Sequence, residues 1–389
     1  MRRSRRLRRF LLALVAIVPA LALAQESTDE RPPAPSEEKK TPPPVVQDEA
    51  RSAHEESWDF TDEQRKAIEK GLSVLAEKQQ KAGYWVSDLN VRYNVAVTAL
   101  AGLAFLGNGE QPGRSKYSEK IEKAIRWLLR IQWPDNDPSG AGGLFYDQER
   151  CDDQKEDRPM HGHGYALLFL AEAYGQVRDR ELHEKMRLAL VRAVHLTEST
   201  QSSEGGWFYR PRDNKDEGSV TITQIQGLRS AHNAGIAVSK STIDRAVDYI
   251  RRSQFKTGDR KGGVRYTIHW GDPSPALTAA GIAVYYGAGE YGSPGIEMGF
   301  DYLARNMRLS DRAHFWYYTH FYAVQAMYQR GMPEWKDYYT KLRQQLLGPG
   351  ARNARGEWED HQAGGLVYGT AVAVLCLEVP LGYLPIFQR

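Results

Sequence analysis

Cysteine is nearly absent from this sequence of 389 residues, which contains only Cys151 and Cys376. Two thiols cannot form a scaffold of several disulfides or a four-cysteine zinc site. Cys376 lies in the apolar segment TAVAVLCLEV, where a buried free thiol is the commoner state. The sequence leaves open whether the two cysteines pair.

An excess of charge is also missing once residues 1–24 are set aside. That segment joins the basic MRRSRRLRRF to a short apolar run ending in ALA, a pattern typical of a cleaved signal peptide; an uncleaved anchor is the alternative. Without its six arginines, 46 basic residues face 49 acidic ones, so no basic face favours nucleic acid. We expect an exported periplasmic or extracellular protein without a membrane span after cleavage, by either the general or the twin-arginine route.

Large apolar side chains are scarce in residues 25–57, which hold six of the 19 prolines and many charges. Such a segment cannot bury enough surface to offset its ordering entropy, so we expect a disordered or semi-rigid linker. Residues 58–389 are rich in Leu, Ala, Tyr and Trp. They are long enough for one large domain.

A short motif recurs through this domain. Gln79, Gly83 and Trp85 share their Q-x-x-x-G-x-W spacing with the segment QSSEGGW at 201–207. Looser copies are GAGGLFY at 140–146, RKGGVRY at 260–266 and RNARGEWED at 352–360. Four of the glycines, which lie about 60 residues apart, are Gly83, Gly143, Gly206 and Gly263. A longer gap leaves room for a degenerate copy near HFWYYTHFYA at 314–323.

The segments between these loops alternate between two helical types. Amphipathic helices such as TDEQRKAIEKGLSVLAEKQQ, with Thr61 as N-cap, precede helices that are apolar nearly all round, such as YNVAVTALAGLAFLG. The alternation occurs about six times and predicts some twelve helices. We therefore expect an all-α, closed (α/α)6 toroid with the apolar helices inside, and an open superhelix is the competing geometry.

The loops have a structural role in this architecture. Glycine allows a sharp turn from outer to inner helix, the Trp ring packs on a helix end, and Gln satisfies exposed backbone groups. We expect a central cavity that opens where the inner helices begin. Its expected lining comprises Asn94, His161, His163, Tyr165, Trp207, Thr223, Gln224, Trp270, Trp316, Tyr317 and His320.

These loops resemble the prenyltransferase and squalene-oxidase repeat of squalene and hopene cyclases and of protein prenyltransferase β-subunits. The segment HGHGYALLFLAEAYG resembles the Gly-His-Gly segment of squalene-cyclase-like proteins, and GGLVYGTAVAVLCLEVPLGYLP resembles the last inner helix of exported bacterial proteins with this repeat. The resemblance covers residues 58–389. It implies an α/α toroid and, if the protein is an enzyme, terpene cyclisation or prenyl transfer.

The catalytic signatures of that family are missing. Class II cyclases carry an Asp-x-Asp-Asp acid, and the strings DND at 135–137 and CDDQKED at 151–157 do not match it. The prenyltransferase zinc triad is not matched either. The remaining catalytic candidates are Asp152, Asp153, His163 and His320. Asp152, Asp153 and Asp157 lie in a polar loop, where we expect a solvated charge cluster.

Zinc-type ligands also occur close together in the sequence. Cys151, His161 and His163 are the metal candidates. A His-x-His pair at a helix start is a weak motif, and the resemblance explains His163 as a structural position. We expect no metal and no other cofactor.

Two functions remain open at this point. The first is a non-catalytic toroid that binds a ligand or an envelope protein, which the missing acid motif favours. The second is an isoprenoid cyclase or prenyl-transfer enzyme that acts on a hydrophobic substrate, with aromatic faces stabilising carbocations. A polysaccharide lyase or hydrolase is a third possibility, but no carboxylate pair stands out.

Overall fold

A computed structural model describes residues 60–87, 94–147, 158–312 and 315–388. Residues 1–59 lie outside this part, so the signal peptide and linker stay predictions. Cys151, Asp152, Asp153 and Asp157 lie outside it as well. Within it, no helix combines the length and apolar character that a bilayer crossing requires.

The described residues form twelve α-helices and no β-strand. The odd-numbered helices are α1 (Asp62–Lys78), α3 (Ser118–Ile131), α5 (Arg180–Ser199), α7 (Lys240–Ser253), α9 (Pro294–Asn306) and α11 (Glu334–Leu347). The even-numbered helices are α2 (Asn94–Gly107), α4 (Pro159–Tyr174), α6 (Gly218–Asn233), α8 (Pro275–Gly287), α10 (Trp316–Arg330) and α12 (Gly365–Glu378). Two 3₁₀ turns, Val379–Leu381 and Pro385–Phe387, follow.

The even-numbered helices form an inner ring. Each packs on the next, and α12 packs on α2, which closes the circle. The odd-numbered helices surround them, and α11 contacts α1. This confirms the predicted closed all-α toroid. The inner helices are buried on nearly every side, as their lack of a polar face predicts.

Glutamine side chains join neighbouring repeats. In four connections, a glutamine follows an outer helix. Its Nε2 group donates one hydrogen bond to a carbonyl of its own loop and another to a carbonyl of the next outer helix, at 2.8–3.0 Å. The four side chains are those of Gln79, Gln132, Gln201 and Gln254. Each bridge therefore ties the loop of one repeat to the outer helix of the next.

Tryptophan and glycine complete the loops. The Trp207 indole N–H donates to the Thr197 carbonyl over 2.7 Å, and the Trp85 indole binds the Leu75 carbonyl in the same way. Gly83 (φ +105°) and Gly143 (φ +93°), both chosen from the spacing of about 60 residues, have left-handed backbone. In the other two loops the left-handed glycine is Gly205 (φ +95°) or Gly262 (φ +89°), one residue before Gly206 or Gly263. The reason is a close approach to the next outer helix, where a side chain would collide with backbone.

The fifth connection departs from this pattern. Residues 307–315, between α9 and α10, contain neither Gln nor Gly. Phe315 takes φ +60°, a conformation uncommon for a residue with a Cβ, and exposes 51% of its surface. This connection ends where the spacing leaves room for a degenerate copy, at 314–323, and that copy stays a prediction.

Candidate functional site

The mouth, defined as the end of the ring where the inner helices begin, carries a cluster of polar and aromatic side chains. His161 comes from the first turn of α4, and Glu217 and Ser219 come from the start of α6. Tyr209 and Tyr266 come from the loops before α6 and α8. We call these five residues the mouth cluster.

Glu217 is the buried acid of the mouth cluster. It is the N-cap of α6, and its carboxylate accepts the backbone N–H groups of Ser219 (2.8 Å) and Val220 (2.6 Å). The side chain is 0% exposed. Burial raises the pKa of Glu217 to about 7, although the hydrogen bonds from Ser219 and Val220 favour the charged form.

Ser219 connects this carboxylate to an imidazole. The Ser219 hydroxyl lies 2.8 and 2.9 Å from the two Glu217 oxygens and 2.9 Å from His161 Nε2. The direct distance from His161 Nε2 to Glu217 Oε1 is 3.7 Å. Burial and the Arg158 guanidinium lower the pKa of His161, so the ring is neutral at neutral pH.

Aromatic rings continue from the polar cluster to the surface. The Tyr209 ring lies 5.8 Å from the His161 ring, and the phenols of Tyr209 and Tyr266 share a hydrogen bond. Trp270 packs 4.9 Å from Tyr266 and is 62% exposed. The Arg158 guanidinium lies 4.4 Å from the Tyr209 ring. The mouth therefore offers an exposed aromatic face beside a partly buried acid–base network.

Tyrosines occupy the centre of the ring below the mouth. Tyr165 on α4 and Tyr322 on α10 come from opposite sides, and their phenol oxygens lie 3.3 Å apart. The Tyr318 and Tyr322 rings lie 4.8 Å apart. A cavity of about 60 Å³ lies near the other end, between the final turns of the inner helices and Ile386.

The two remaining histidine candidates have internal partners. His163 Nδ1 accepts the Phe145 N–H (3.3 Å), and its Nε2 contacts the Thr197 hydroxyl (3.0 Å). His320 Nδ1 contacts the Tyr338 hydroxyl at 2.8 Å. Both imidazoles are buried, which lowers their pKa, to about 4 for His163. Among the described residues, no three His, Cys, Asp or Glu side chains group as metal ligands.

The predicted lining aromatics lie in different places. Trp207 is fully buried between helices, Trp270 is at the rim of the mouth, and Tyr165 belongs to the central tyrosines. Trp316 and Tyr317 line a separate cavity of about 600 Å³ beside α11. Arg312 lies 4.7 Å from the Trp316 ring in that cavity.

Sequence reasoning missed Glu217, Ser219, Tyr209 and Tyr266. One signal was present in the sequence. Glu217 is the N-cap of inner helix α6, whereas the equivalent N-cap position of inner helix α8 carries Ser274. Glutamate is not a preferred N-cap residue. Its pairing with His161, 56 positions earlier, depends on the neighbouring positions of α4 and α6 and is not visible in any motif.

No family model matches the sequence, and no curated protein matches it. Solved structures with the same fold do exist. An α-1,6-mannanase of Salegentibacter, solved with α-1,6-mannotriose, has TM-score 0.58 and 9% identity, covering 82% of this chain and 99% of that one. Cellobiose 2-epimerase from Bacillus thermoamylovorans has TM-score 0.58 and 12% identity, covering 85% and 100%.

A type II terpene cyclase from Scytonema has TM-score 0.55 and 16% identity, covering 83% of this chain and 98% of that one. All three likenesses support the α/α toroid fold. The chain is therefore an α/α toroid, a fold that it shares with a terpene cyclase and with two carbohydrate enzymes.

Proposed function

We propose that the protein is a ligand-binding toroid whose mouth binds a carbohydrate. The observation that carries this proposal is the exposed Tyr266–Trp270 aromatic face beside the His161–Ser219–Glu217 network. Aromatic rings provide an apolar surface for the C–H faces of a sugar, and a few placed polar groups fix its orientation. The mannanase and the epimerase, which by name act on carbohydrates, add support from the same fold.

An isoprenoid cyclase or prenyl-transfer enzyme is the second candidate. The central tyrosines favour it, because aromatic faces stabilise carbocations, and the terpene cyclase shares the fold. One observation weighs against it: Tyr165 and Tyr322 meet across the ring where a long apolar chain would lie.

The acid of the mouth also favours a polar ligand. Protonation of an alkene requires an acid stronger than an ordinary carboxyl group, whereas the raised pKa of Glu217 makes it a weaker one. A pKa of about 7 suits proton exchange with oxygen-rich molecules at neutral pH. Kinship with the prenyltransferase and squalene-oxidase repeat, export from the cytoplasm and an envelope-protein partner stay predictions.

The test is calorimetric titration of the purified protein with mannobiose, mannotriose and cellobiose, beside squalene and geranylgeranyl diphosphate. We expect a sugar to bind and Trp270→Ala to weaken binding about tenfold or more, since losing one stacking ring costs about 1–2 kcal/mol. Tyr291→Ala is the matched control, because Tyr291 is 60% exposed but belongs to the opposite end of the ring. Binding of the isoprenoids alone would favour the second candidate.

A further inference from the structure

We infer that Glu217, Ser219 and His161 form a proton relay, which makes the mouth a catalytic site for proton transfer on the bound sugar. This inference rests on the proposed carbohydrate binding. It goes further, because binding requires no proton movement. Neither the missing Asp-x-Asp-Asp motif nor the fold comparisons assign a role to these three residues.

The relay follows from the order of the three groups from the interior to the mouth. The Glu217 carboxylate is fully buried, whereas Ser219 and His161 are partly exposed, the latter by 19%. The two hydrogen-bond steps, from Glu217 to Ser219 and from Ser219 to His161, both lie within 2.8–2.9 Å. Both distances permit proton transfer without a change of backbone.

The second ring nitrogen of His161 faces the substrate in this scheme. Nε2 is bonded to Ser219, and no described residue forms a hydrogen bond with Nδ1. The neighbouring Tyr209 ring holds the imidazole in place by packing. Nδ1 is therefore the atom that receives a proton from a molecule in the mouth.

The proton movements balance without another reactant. His161 Nδ1 takes the proton of a C–H bond next to a carbonyl group, as at C2 of an open-chain reducing sugar. The Nε2 proton passes to Ser219, and the Ser219 proton passes to the Glu217 carboxylate. The electron pair of the C–H bond moves into the sugar, which becomes an enediolate. Return of the proton through the same groups, to the face that it left, restores the same sugar.

The electrostatic surroundings fit both directions of this transfer. A carboxyl with a pKa of about 7 is partly ionised at neutral pH, so it can both accept and return a proton. Arg158 acts electrostatically on both His161 and Glu217. Its positive charge favours the enediolate over the neutral sugar.

The relay is tested by NMR in D₂O with mannose, mannobiose and cellobiose as probes. We expect the protein to replace the C2 hydrogen with deuterium. With the sugar at saturating concentration, Ser219→Ala should slow this exchange by about 100-fold or more, because acid–base groups contribute about 10²–10⁴ in rate. Ser219→Thr, which keeps a hydroxyl group, should restore part of the exchange.

Ser230→Ala is the matched control, since Ser230 also donates to a buried carboxyl, that of Glu172, at 2.6 Å but far from the mouth. It should exchange like the parent protein. Sugar binding without exchange, or exchange unaffected by Ser219→Ala, would overturn the relay and leave carbohydrate binding intact. Failure of every sugar to bind would overturn the binding proposal first, and the relay with it.

Discussion

The phenol oxygens of Tyr165 and Tyr322 lie 3.3 Å apart, although α4 and α10 stand on opposite sides of the inner ring. This contact spans the axis of the toroid. It closes the centre that a hollow toroid would leave open to a long apolar ligand. The contact also joins two helices that do not pack on each other directly.

A double-mutant cycle measures this contact. Tyr165→Phe and Tyr322→Phe should each lower the free energy of unfolding by about 1 kcal/mol, the usual value of one hydrogen bond. The double variant should cost less than the sum, because both substitutions remove the same bond. Urea denaturation provides the measurement. Strict additivity would contradict a direct bond across the ring.

The loop glycines allow a second prediction. A Cβ on Gly205 would lie 2.5 Å from the Arg245 carbonyl oxygen of α7, and φ is +95°. Gly258 has φ +74°, but an added Cβ would meet nothing within 4 Å. We expect Gly258→Ala to cost about 1 kcal/mol from backbone strain alone. Gly205→Ala should cost at least about 2 kcal/mol more, because the clash adds to the strain.

Thermal and urea unfolding of the two alanine variants provide the comparison. Equal losses would mean that α7 shifts to relieve the contact. In that case, glycine would be required at position 205 for its backbone angles only.

The fold could be predicted from the sequence because its determinants are local and repeated. Thr61 caps α1 as expected, by accepting the Gln64 N–H. The Gln–Gly–Trp spacing marks two of the six turns from outer to inner helix, and looser copies mark three more. The Q-x-x-x-G-x-W spacing places its glycine at Gly205, which has the left-handed backbone, whereas the series spaced by about 60 residues took Gly206. The requirement for glycine at 205 depends also on how closely the loop approaches α7, which no local pattern shows.

The mouth was harder to predict, because its chemistry depends on contacts between repeats. His161 was among the candidates, but its partner Ser219 lies 58 positions later and belongs to no recognisable motif. Similarly, Tyr165 was expected to line a cavity. Only the packing reveals that it meets Tyr322.

His163 provides a test of a structural against a chemical role. It accepts the Phe145 N–H, as the hydroxyls of Thr98 and Thr221 accept the N–H groups of Trp85 and Trp207. We expect His163→Thr to fold and to keep any sugar binding, with a loss of about 1–2 kcal/mol from the smaller side chain. A complete loss of ligand binding in a folded variant would contradict the structural role.

The same variant should change the acid side of the stability profile. The pKa of His163 is about 4 in the folded protein, below its usual 6.5, because the ring is buried. Its contribution to stability is therefore present above pH 6.5 and is lost as the pH falls towards 4. Between pH 7 and pH 4.5, the free energy of unfolding measured in urea should fall less for His163→Thr than for the parent protein.

Glu378 should determine how the stability of the protein changes on the alkaline side of the pH profile. It ends α12, is 1% exposed, and neither carboxylate oxygen has a hydrogen-bond partner. Burial raises its pKa well above the usual 4.5. The Glu378 carboxyl group packs against Gly107, where a side chain would collide with it, since a Cβ on Gly107 would lie 2.5 Å from Glu378 Oε2. The protonated form is therefore the one that fits the folded protein.

A raised pKa means that the Glu378 contribution is present below the unfolded pKa and is lost as the pH rises towards the folded value. Glu378→Gln cannot ionise, so it should unfold at a temperature several degrees above the parent protein at pH 8 and close to it at pH 5. Glu181→Gln is the matched control, because Glu181 is 77% exposed in a surface ion pair with Lys185. Calorimetric scans of the parent protein, Glu378→Gln and Glu181→Gln at pH 5 and pH 8 provide the measurement. An equal rise in the unfolding temperature of Glu378→Gln at both pH values would mean that Glu378 does not resist ionisation in the folded state.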